Sequence, residues 1–222
     1  MTKPLLSIVV PVKINSGTLE YTIRTILAQD YPNIQIVISD GSNQVEVRDL
    51  VKQINDKRIK CITPYRTDSG FSNDWEFALS GADGEYVTFL GDDDGVLPKA
   101  YSLAMEYILN HNVDAFTWKK INYNWPDHLL SEYQNMLIGD SKPEIQRINA
   151  KKSLKLLSQF KVGYNSLPCI YNSIVCMSDI RSVIKKSKKN RFFSGSIPDL
   201  LTASSIAQPA ILGALVLLKV PR

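Results

Sequence analysis

The chain has 222 residues, 44% hydrophobic and 22% charged, which is typical of one globular domain with a sizeable core and excludes a disordered or fibrous protein. Its formal net charge of +4 is too small to indicate nucleic-acid binding by itself. Its three cysteines lack CxxC spacing, which argues against a disulfide framework and a zinc site and favours a reducing, cytoplasmic location.

Short β-branched runs alternate with helical patterns through residue 118, and this predicts a mostly parallel sheet built from βαβ units. The predicted strands are 6–12, 34–39, 59–62, 86–90 and 113–118, and helical spacing predicts helices around 19–27, 47–54, 71–79 and 103–108. We expect the first helix to end near Asp30 and Pro98 to lie in the first turn of the fourth. Trp75 falls on an apolar helix stripe and is expected in the core.

Beyond residue 120 the pattern is less regular, with a basic helix expected near 149–160 and an apolar segment at 168–177. No linker or repeat separates this part from the first, so we expect one domain. The apolar run near the amino terminus is too short for a signal peptide. The run AILGALVLLKV near the carboxyl end is short of the roughly twenty residues that span a bilayer. That end either packs on the core or continues past Arg222 in the native protein.

Three carboxylates, Asp92, Asp93 and Asp94, directly follow the predicted strand 86–90. Neighbouring carboxylates repel one another unless a positive charge lies among them. Ligands bind at the carboxyl ends of strands in open α/β sheets, and oxygen ligands suit Mg²⁺ or Mn²⁺, which in turn hold diphosphates. A solvated acidic turn is the alternative interpretation of the same three residues.

Four segments of the chain resemble glycosyltransferase family 2, the nucleotide-sugar-dependent enzymes with the GT-A fold. The first, residues 7–43, has a strand ending in VVPV, a helix ending in QDYPN and a strand closing on DGS. The second, residues 66–98, has a helix, a GEY strand, the GDDD run and a trailing proline. Segments 164–175 (YNSLPCIYNSIV) and 192–203 (FFSGSIPDLLTA) are similar to later parts of the family. The resemblance implies an α/β domain of the GT-A type, with a Rossmann-like, mostly parallel central sheet flanked by helices.

The resemblance also implies roles for residues of the donor site. Pro11 and Val12 would line the nucleotide pocket through their backbone, and Asp40 would hydrogen-bond the base, usually uracil. Arg66 and Asn73 would lie beside the pocket. In the acidic run, Asp92 and Asp93 would bind the nucleotide sugar, and Asp93 and Asp94 would hold the metal.

One departure from the family concerns Gly91. The usual pattern, D-x-D-D-x-x-x-P counted back from Pro98, has an aspartate where this chain has Gly91. We expect Asp92 to take over contacts to the ribose or metal that the missing carboxylate would make.

Asp199 is implied as the catalytic base, because the resemblance aligns it with the carboxylate that deprotonates the acceptor in inverting members. It is expected to open a helix, whose amino terminus stabilises the anion. An ordinary first-turn carboxylate is the alternative.

The resemblance therefore implies a metal-dependent, inverting transfer of a sugar from a nucleotide-diphosphate sugar, with polysaccharide or glycoconjugate synthesis as the setting. Residues 1–118 would form the donor-binding half of the domain and 119–222 the acceptor-side half, which is truncated if the native chain continues. A nucleotidyltransferase of related fold and a non-catalytic nucleotide-sugar-binding module are the alternatives. The acceptor would be a saccharide or lipid-linked, and the basic stretch Lys185–Arg191 is either a solvated helix end or a contact to the inner membrane face.

Overall fold

The structure is a computed structural model, and it describes residues 2–14, 17–42, 44–65, 70–118, 121–124, 135–137, 145–163, 167–193 and 213–216. The strands are β1 Leu6–Val12, β2 Ile34–Asp40, β3 Ile59–Ile62, β4 Tyr86–Phe89, β5 Ala115–Trp118, β6 Asn122–Asn124, β7 Asn135–Leu137, β8 Ile145–Ile148, β9 Ser173–Cys176 and β10 Gly213–Val216. The helices are α1 Leu19–Leu27, α2 Val45–Ile54, α3 Phe71–Ser80, α4 Ala100–His111, α5 Ala150–Ser158 and α6 Met177–Lys186.

Eight strands form one sheet in the order β3-β2-β1-β4-β9-β5-β10-β8, and β6 and β7 form a separate antiparallel pair. The pairs β1–β2, β2–β3, β1–β4 and β5–β10 are parallel, so the mostly parallel sheet predicted from the alternating pattern is confirmed. Strand β9 lies between β4 and β5 and runs antiparallel to both. Its position joins the second half of the chain to the centre of the sheet.

The two faces of the sheet carry separate cores because successive strand residues point to opposite sides. Along β1, Ile8 and Val10 pack with α1, α2 and α4, whereas Val9 packs with α3 and α6. We call these the α1 face and the α3 face. Trp75 is buried on the α3 face, as its position on an apolar stripe predicts.

Helix boundaries differ from the prediction at two places. Helix α1 ends at Leu27 with Ala28 as its cap, not near Asp30. Gln29 lies beyond this cap, and its side chain donates to the Leu97 carbonyl. Pro98 precedes α4 and is not in its first turn, because Lys99 adopts a left-handed conformation, φ 65°, and the helix begins at Ala100. Within the described ranges, no helix has the length and apolar character needed to cross a bilayer.

Candidate active site

The carboxyl ends of β1, β2 and β4 meet at one edge of the sheet, and the predicted donor residues Pro11, Val12, Asp40 and Asp92–Asp94 lie there. Val12 at the end of β1 is in register with Asp40 at the end of β2, and Pro11 with Ser39. On the other side of β1, Val9 pairs with Phe89 of β4, and the Leu90 N–H donates to the Val9 carbonyl at 2.9 Å. The chain then enters the acidic run. This edge is where open α/β sheets bind ligands.

Asp40 is almost completely buried, with 1% of its surface exposed. Its Oδ1 accepts hydrogen bonds from the backbone N–H of Ser42 at 3.1 Å and from the Ser42 hydroxyl at 2.5 Å. Its Oδ2 is buried and has no hydrogen-bond partner among the described residues, and the nearest cationic atom, Arg48 Nε, is 4.0 Å away. A buried carboxylate oxygen without a hydrogen bond is costly, and a ligand N–H would remove that cost.

The acidic run forms a tight turn, which we call the aspartate loop and define as residues 91–97. The Asp94 N–H donates to the Gly91 carbonyl at 3.2 Å, and the Gly91 N–H donates to Asp94 Oδ2 at 3.2 Å. A β-carbon at position 91 would lie 2.7 Å from Asp94 Oδ2 and 2.8 Å from Asp93 Oδ1. A side chain at position 91 would therefore displace the carboxylates of Asp93 and Asp94 from where they approach this backbone together.

Asp92 is the partly buried carboxylate of the aspartate loop. The pKa of Asp92 is raised to about 6, first because burial disfavours its charged form and next because Asp93 lies nearby. Asp93 and Asp94 are exposed. The loop thus presents two exposed carboxylates beside a half-buried third one whose ionisation a cation would favour.

The donor set of the aspartate loop fits Mg²⁺ or Mn²⁺ only in part. In the described portion of the chain, no three His, Cys, Asp or Glu side chains are grouped to hold a metal ion by themselves. Two carboxylates are nevertheless what such a cation commonly takes from a protein, because substrate phosphates and waters complete its coordination. Asp93 and Asp94, whose oxygens converge over Gly91, are the residues that fit.

The amino-terminal part of α3 contacts both the segment that follows β1 and Arg191 of the second half. Lys13 Nζ, just after β1, lies 3.1 Å from Asp74 Oδ2. Asn73 Oδ1 accepts a hydrogen bond from Arg191 Nη1. Asn73, predicted beside the pocket, therefore lies next to a residue that ends the basic stretch Lys185–Arg191. Neither the Lys13–Asp74 pair nor the Arg191–Asn73 bond carries a pattern that the sequence alone reveals.

The segment that follows Arg191 is fixed to the α3 face. Glu76 Oε2 accepts from the backbone N–H of Phe192 at 3.0 Å and of Phe193 at 2.8 Å. Both phenylalanines are buried in an aromatic cluster with Trp75 and Phe89. Two other predicted site residues, Arg66 and Asp199, lie outside the described residues, and their roles stay predictions.

Known proteins similar to this chain are glycosyltransferases. A Campylobacter jejuni protein named GalNAc(5)-diNAcBac-PP-undecaprenol beta-1,3-glucosyltransferase is 33% identical over 105 residues, which are 46% of this chain and 34% of that protein. The crystal structure of S. aureus TarS in complex with UDP-GlcNAc superposes with a TM-score of 0.68 at 16% identity, over 98% of this chain and 59% of TarS. The mannosyltransferase PcManGT of Pyrobaculum calidifontis, in complex with GDP-Man and Mn²⁺, superposes with a TM-score of 0.61 at 16% identity, over 100% of this chain and 59% of PcManGT.

These similarities confirm the predicted GT-A fold. At such low identity the two structures show the fold alone, and this chain spans less than two thirds of each of the three proteins. The sequence model described as "Glycosyl transferase family 2" matches residues 7–169, well over half of the chain. The chain therefore belongs to glycosyl transferase family 2, the family that its opening strand, aspartate run and trailing proline predict.

Proposed function

We propose that this chain transfers a sugar from a nucleoside-diphosphate sugar, a UDP-sugar, to an acceptor hydroxyl in polysaccharide or glycoconjugate synthesis, with Mn²⁺ or Mg²⁺ as cofactor. One observation carries the proposal: a single sheet edge joins the unsatisfied Oδ2 of Asp40 to the converging carboxylates of Asp93 and Asp94. The first suits a base that bears an N–H, and the second suits a cation-bound diphosphate. Membership of the family supports glycosyl transfer over nucleotidyl transfer and over a binding module without activity.

The donor would lie along the edge from β2 to the aspartate loop. Asp40 Oδ2 would accept the N–H of the base, and the backbone of Pro11 and Val12 would line the nucleotide pocket. Arg66 and Asn73 would lie beside that pocket. A uracil N–H matches the acceptor that Asp40 offers, and the TarS structure in complex with UDP-GlcNAc supports a uridine donor in this fold.

The diphosphate would lie over Gly91, where Asp93 and Asp94 would hold the cation. When bound, the cation supplies positive charge that stabilises the departing diphosphate. That charge would stabilise the ionised form of Asp92, which burial and the neighbouring carboxylates disfavour. Asp92 would then contact the ribose or the metal. The complex of PcManGT with Mn²⁺ supports this type of cofactor.

The chemical step would be one displacement at the anomeric carbon, with inversion. The acceptor oxygen forms a bond to that carbon as the bond to the diphosphate oxygen breaks, and the nucleoside diphosphate leaves with the electron pair. The acceptor's hydroxyl proton goes to a base, for which Asp199 is the candidate. That role rests on the resemblance of segment 192–203 to the family.

Calorimetry with UDP and a panel of nucleotide sugars, in Mn²⁺ and in EDTA, tests the donor site. We expect UDP to bind more tightly in Mn²⁺ than in EDTA, and Asp93→Ala to abolish this metal-dependent gain while leaving the weaker metal-free binding. Loss of a residue that only orients a metal ligand already costs about 10–100-fold in affinity, so loss of a ligand should cost more. The control is Asp49→Ala, which removes a half-exposed carboxylate of α2 and should bind UDP as the wild type does. Folded wild-type protein that binds no nucleotide would overturn the proposal.

The acceptor side is proposed for residues 119–222, with residues 1–118 as the donor half. Lys185, Lys186, Lys188 and Lys189 are exposed, and the stretch ends at Arg191, which bonds to Asn73. A cationic surface at this place suits a lipid-linked diphosphate or anionic lipids, and the name of the Campylobacter relative includes a PP-undecaprenol acceptor. We therefore place the protein in the cytoplasm, at the inner face of the membrane.

Sedimentation with vesicles tests this surface. Each lysine near an anionic membrane contributes about 1 kcal/mol, so replacing all four lysines by glutamine should release the protein from phosphatidylglycerol vesicles. A control with the same change in charge replaces Lys151, Lys152, Lys155 and Lys161 on and after α5. Equal loss by both variants, or no binding by the wild type, would contradict a specific membrane surface at Lys185–Arg191.

A further inference from the structure

Helix α1 binds the aspartate loop through a row of polar side chains. Thr22 and Thr25 lie in the helix, Thr18 is its N-cap and Gln29 follows its C-cap. The four recur at intervals of four, three and four residues, which places their side chains on one side. The Thr25 hydroxyl accepts from the Val96 N–H at 3.1 Å. One turn on, Gln29 Nε2 donates to the Leu97 carbonyl at 3.0 Å, and its Oε1 accepts from the Tyr101 N–H at 3.3 Å. The helix thereby fixes the path of the chain between β4 and α4.

Thr22 occupies the critical position in this row. Its hydroxyl oxygen lies 2.7 Å from the Asp94 carbonyl and 3.0 Å from the Asp92 carbonyl. A hydroxyl has one proton to donate. Thr18 donates to the Asp92 carbonyl at 3.0 Å, so the proton of Thr22 is available for the shorter bond to Asp94. The backbone carbonyls on both sides of Asp93 thus face the same helix.

The hydroxyl group of Thr22 is buried inside the protein. Thr22 is 1% exposed, between the buried Leu19 and Ile23 of the α1 face. A buried hydroxyl costs more free energy than an aliphatic side chain at the same place unless it makes a hydrogen bond. Its partner is the backbone of a loop that carries three consecutive acidic side chains, and mutual repulsion of these side chains favours other loop conformations.

We infer that Thr22 is a positioning residue of the donor site, which fixes the backbone around Asp93 so that the carboxylates of Asp93 and Asp94 stay together over Gly91. The inference rests on the proposed function, since it assigns to that site a residue of α1 outside the acidic run. Thr22 acts through the aspartate loop, so its loss weakens the metal-dependent part of nucleotide binding. Binding of the base at Asp40 is unaffected.

The test compares three variants by calorimetry with UDP in Mn²⁺ and in EDTA, with thermal unfolding measured in parallel. Thr22→Val keeps the shape and removes the proton donor. We expect its Kd for UDP in Mn²⁺ to rise about tenfold, the equivalent of ~1.4 kcal/mol, and its Kd in EDTA to match the wild type. Thr22→Ser keeps the hydroxyl and should restore the wild-type affinity. Ser7→Ala removes another buried hydroxyl, one that accepts the Gly84 N–H at 2.9 Å near the opposite end of β1, and should lower Tm without changing either Kd.

Three results would overturn the inference: wild-type affinity in Thr22→Val, failure of Thr22→Ser to restore it, or equal weakening by Ser7→Ala. If Thr22→Val does not fold, Thr25→Ala takes its place, because it removes the acceptor of the Val96 N–H; it should show the same metal-dependent loss, and wild-type binding would overturn the inference. Failure of the proposed function is distinguishable, because wild-type protein would then show no metal-dependent UDP binding at all.

Discussion

The two faces of the sheet hold their functional segments by different forces. On the α1 face, side chains of one helix form hydrogen bonds to the backbone of the aspartate loop, from Asp92 to Leu97. On the α3 face, the segment 191–193 is held by burial of Phe192 and Phe193 among aromatic rings, with one carboxylate, Glu76, bonded to its backbone.

The α1 face therefore determines the position of the aspartate loop, and the α3 face contributes more to the stability of the fold. Hydrogen bonds are directional but contribute modestly to net stability, so they set where the carboxylates of the aspartate loop lie. Aromatic burial is less directional but stabilises strongly, so it fastens the second half of the chain to the sheet. Substitutions on the α3 face should therefore alter stability first, and substitutions near the aspartate loop should alter binding first.

The largest effect is expected from Phe193→Ala. Phe193 is 0% exposed, and its ring lies 5.4 Å from that of Phe89 and 5.4 Å from that of Trp75. Removal of a buried phenylalanine ring typically costs about 3–5 kcal/mol, so we expect a loss of this size in the free energy of unfolding by urea. Phe160→Ala is the matched control, because Phe160 is 97% exposed and should leave stability unchanged. A loss under about 1 kcal/mol for Phe193→Ala would contradict the role of the aromatic cluster.

A smaller loss of stability is expected from Glu76→Gln. Glu76 Oε2 accepts from two successive backbone N–H groups, and Oε1 lies 3.2 Å from the Phe192 nitrogen as a second acceptor. An amide keeps one oxygen for these bonds, but it is uncharged and its nitrogen cannot accept. Charge-assisted bonds are worth more than neutral ones, so the free energy of unfolding should fall by about 1–2 kcal/mol. Glu106→Gln on the exposed side of α4 should change it by less than about 0.5 kcal/mol. Equal effects would mean that charge alone, and not the bonds to Phe192 and Phe193, accounts for the loss.

Most of the first five strands could be predicted from the sequence because their signal is local. The runs 6–12 and 59–62 match β1 and β3 residue for residue. β1 is buried, and buried parallel strands read as continuous apolar segments, whereas β3 is a partly buried edge strand that contains Lys60. The resemblance likewise led to Asp40 and the acidic run, which the structure brings to one edge of the sheet. The helical spacing of apolar residues also correctly predicts that Trp75 lies in the core.

Contacts between distant parts of the chain could not be predicted in this way. The antiparallel position of β9 between β4 and β5 depends on pairing across a sequence separation that no local pattern encodes. The bond from Thr22 to Asp94 joins a helix stripe to a loop 72 residues later. Gly91 appears in sequence as a departure from a motif, and the closeness of Asp93 and Asp94 to its backbone is visible only in the structure.

Asp40→Asn tests whether base binding is independent of the aspartate loop. The variant keeps the size of the side chain and replaces one carboxylate oxygen by an amide that cannot accept the base N–H when it occupies the Oδ2 position. We expect the Kd for UDP to rise about tenfold, ~1.4 kcal/mol, both in Mn²⁺ and in EDTA. A loss seen only in Mn²⁺ would show that Asp40 acts on the metal part of the site, and no loss would remove Asp40 from the site.

The smallest effect is a pH dependence of stability that comes from Asp92. Its pKa is about 6 in the folded chain against an ordinary value of 3.8, so between these values the folded state binds more protons than the unfolded state. Stability of the metal-free protein should therefore fall as pH rises from about 4 to 6, the reverse of the usual carboxylate behaviour. Burial raises the pKa of Asp179 too, so the trend from Asp92 is isolated by subtracting the Tm profile of Asp92→Asn.

Mn²⁺ should cancel the fall in stability between about pH 4 and 6. A cation in the aspartate loop stabilises ionised Asp92, so the stability that it adds increases as pH rises. The measurement is Tm at pH 4, 5, 6 and 7 with and without Mn²⁺, for wild type and Asp92→Asn. A wild-type profile that parallels that of Asp92→Asn in the absence of metal would mean that Asp92 is as well solvated as Asp93 and Asp94. Burial on the α1 side would then hold the backbone of the aspartate loop but leave all three of its carboxylates in water.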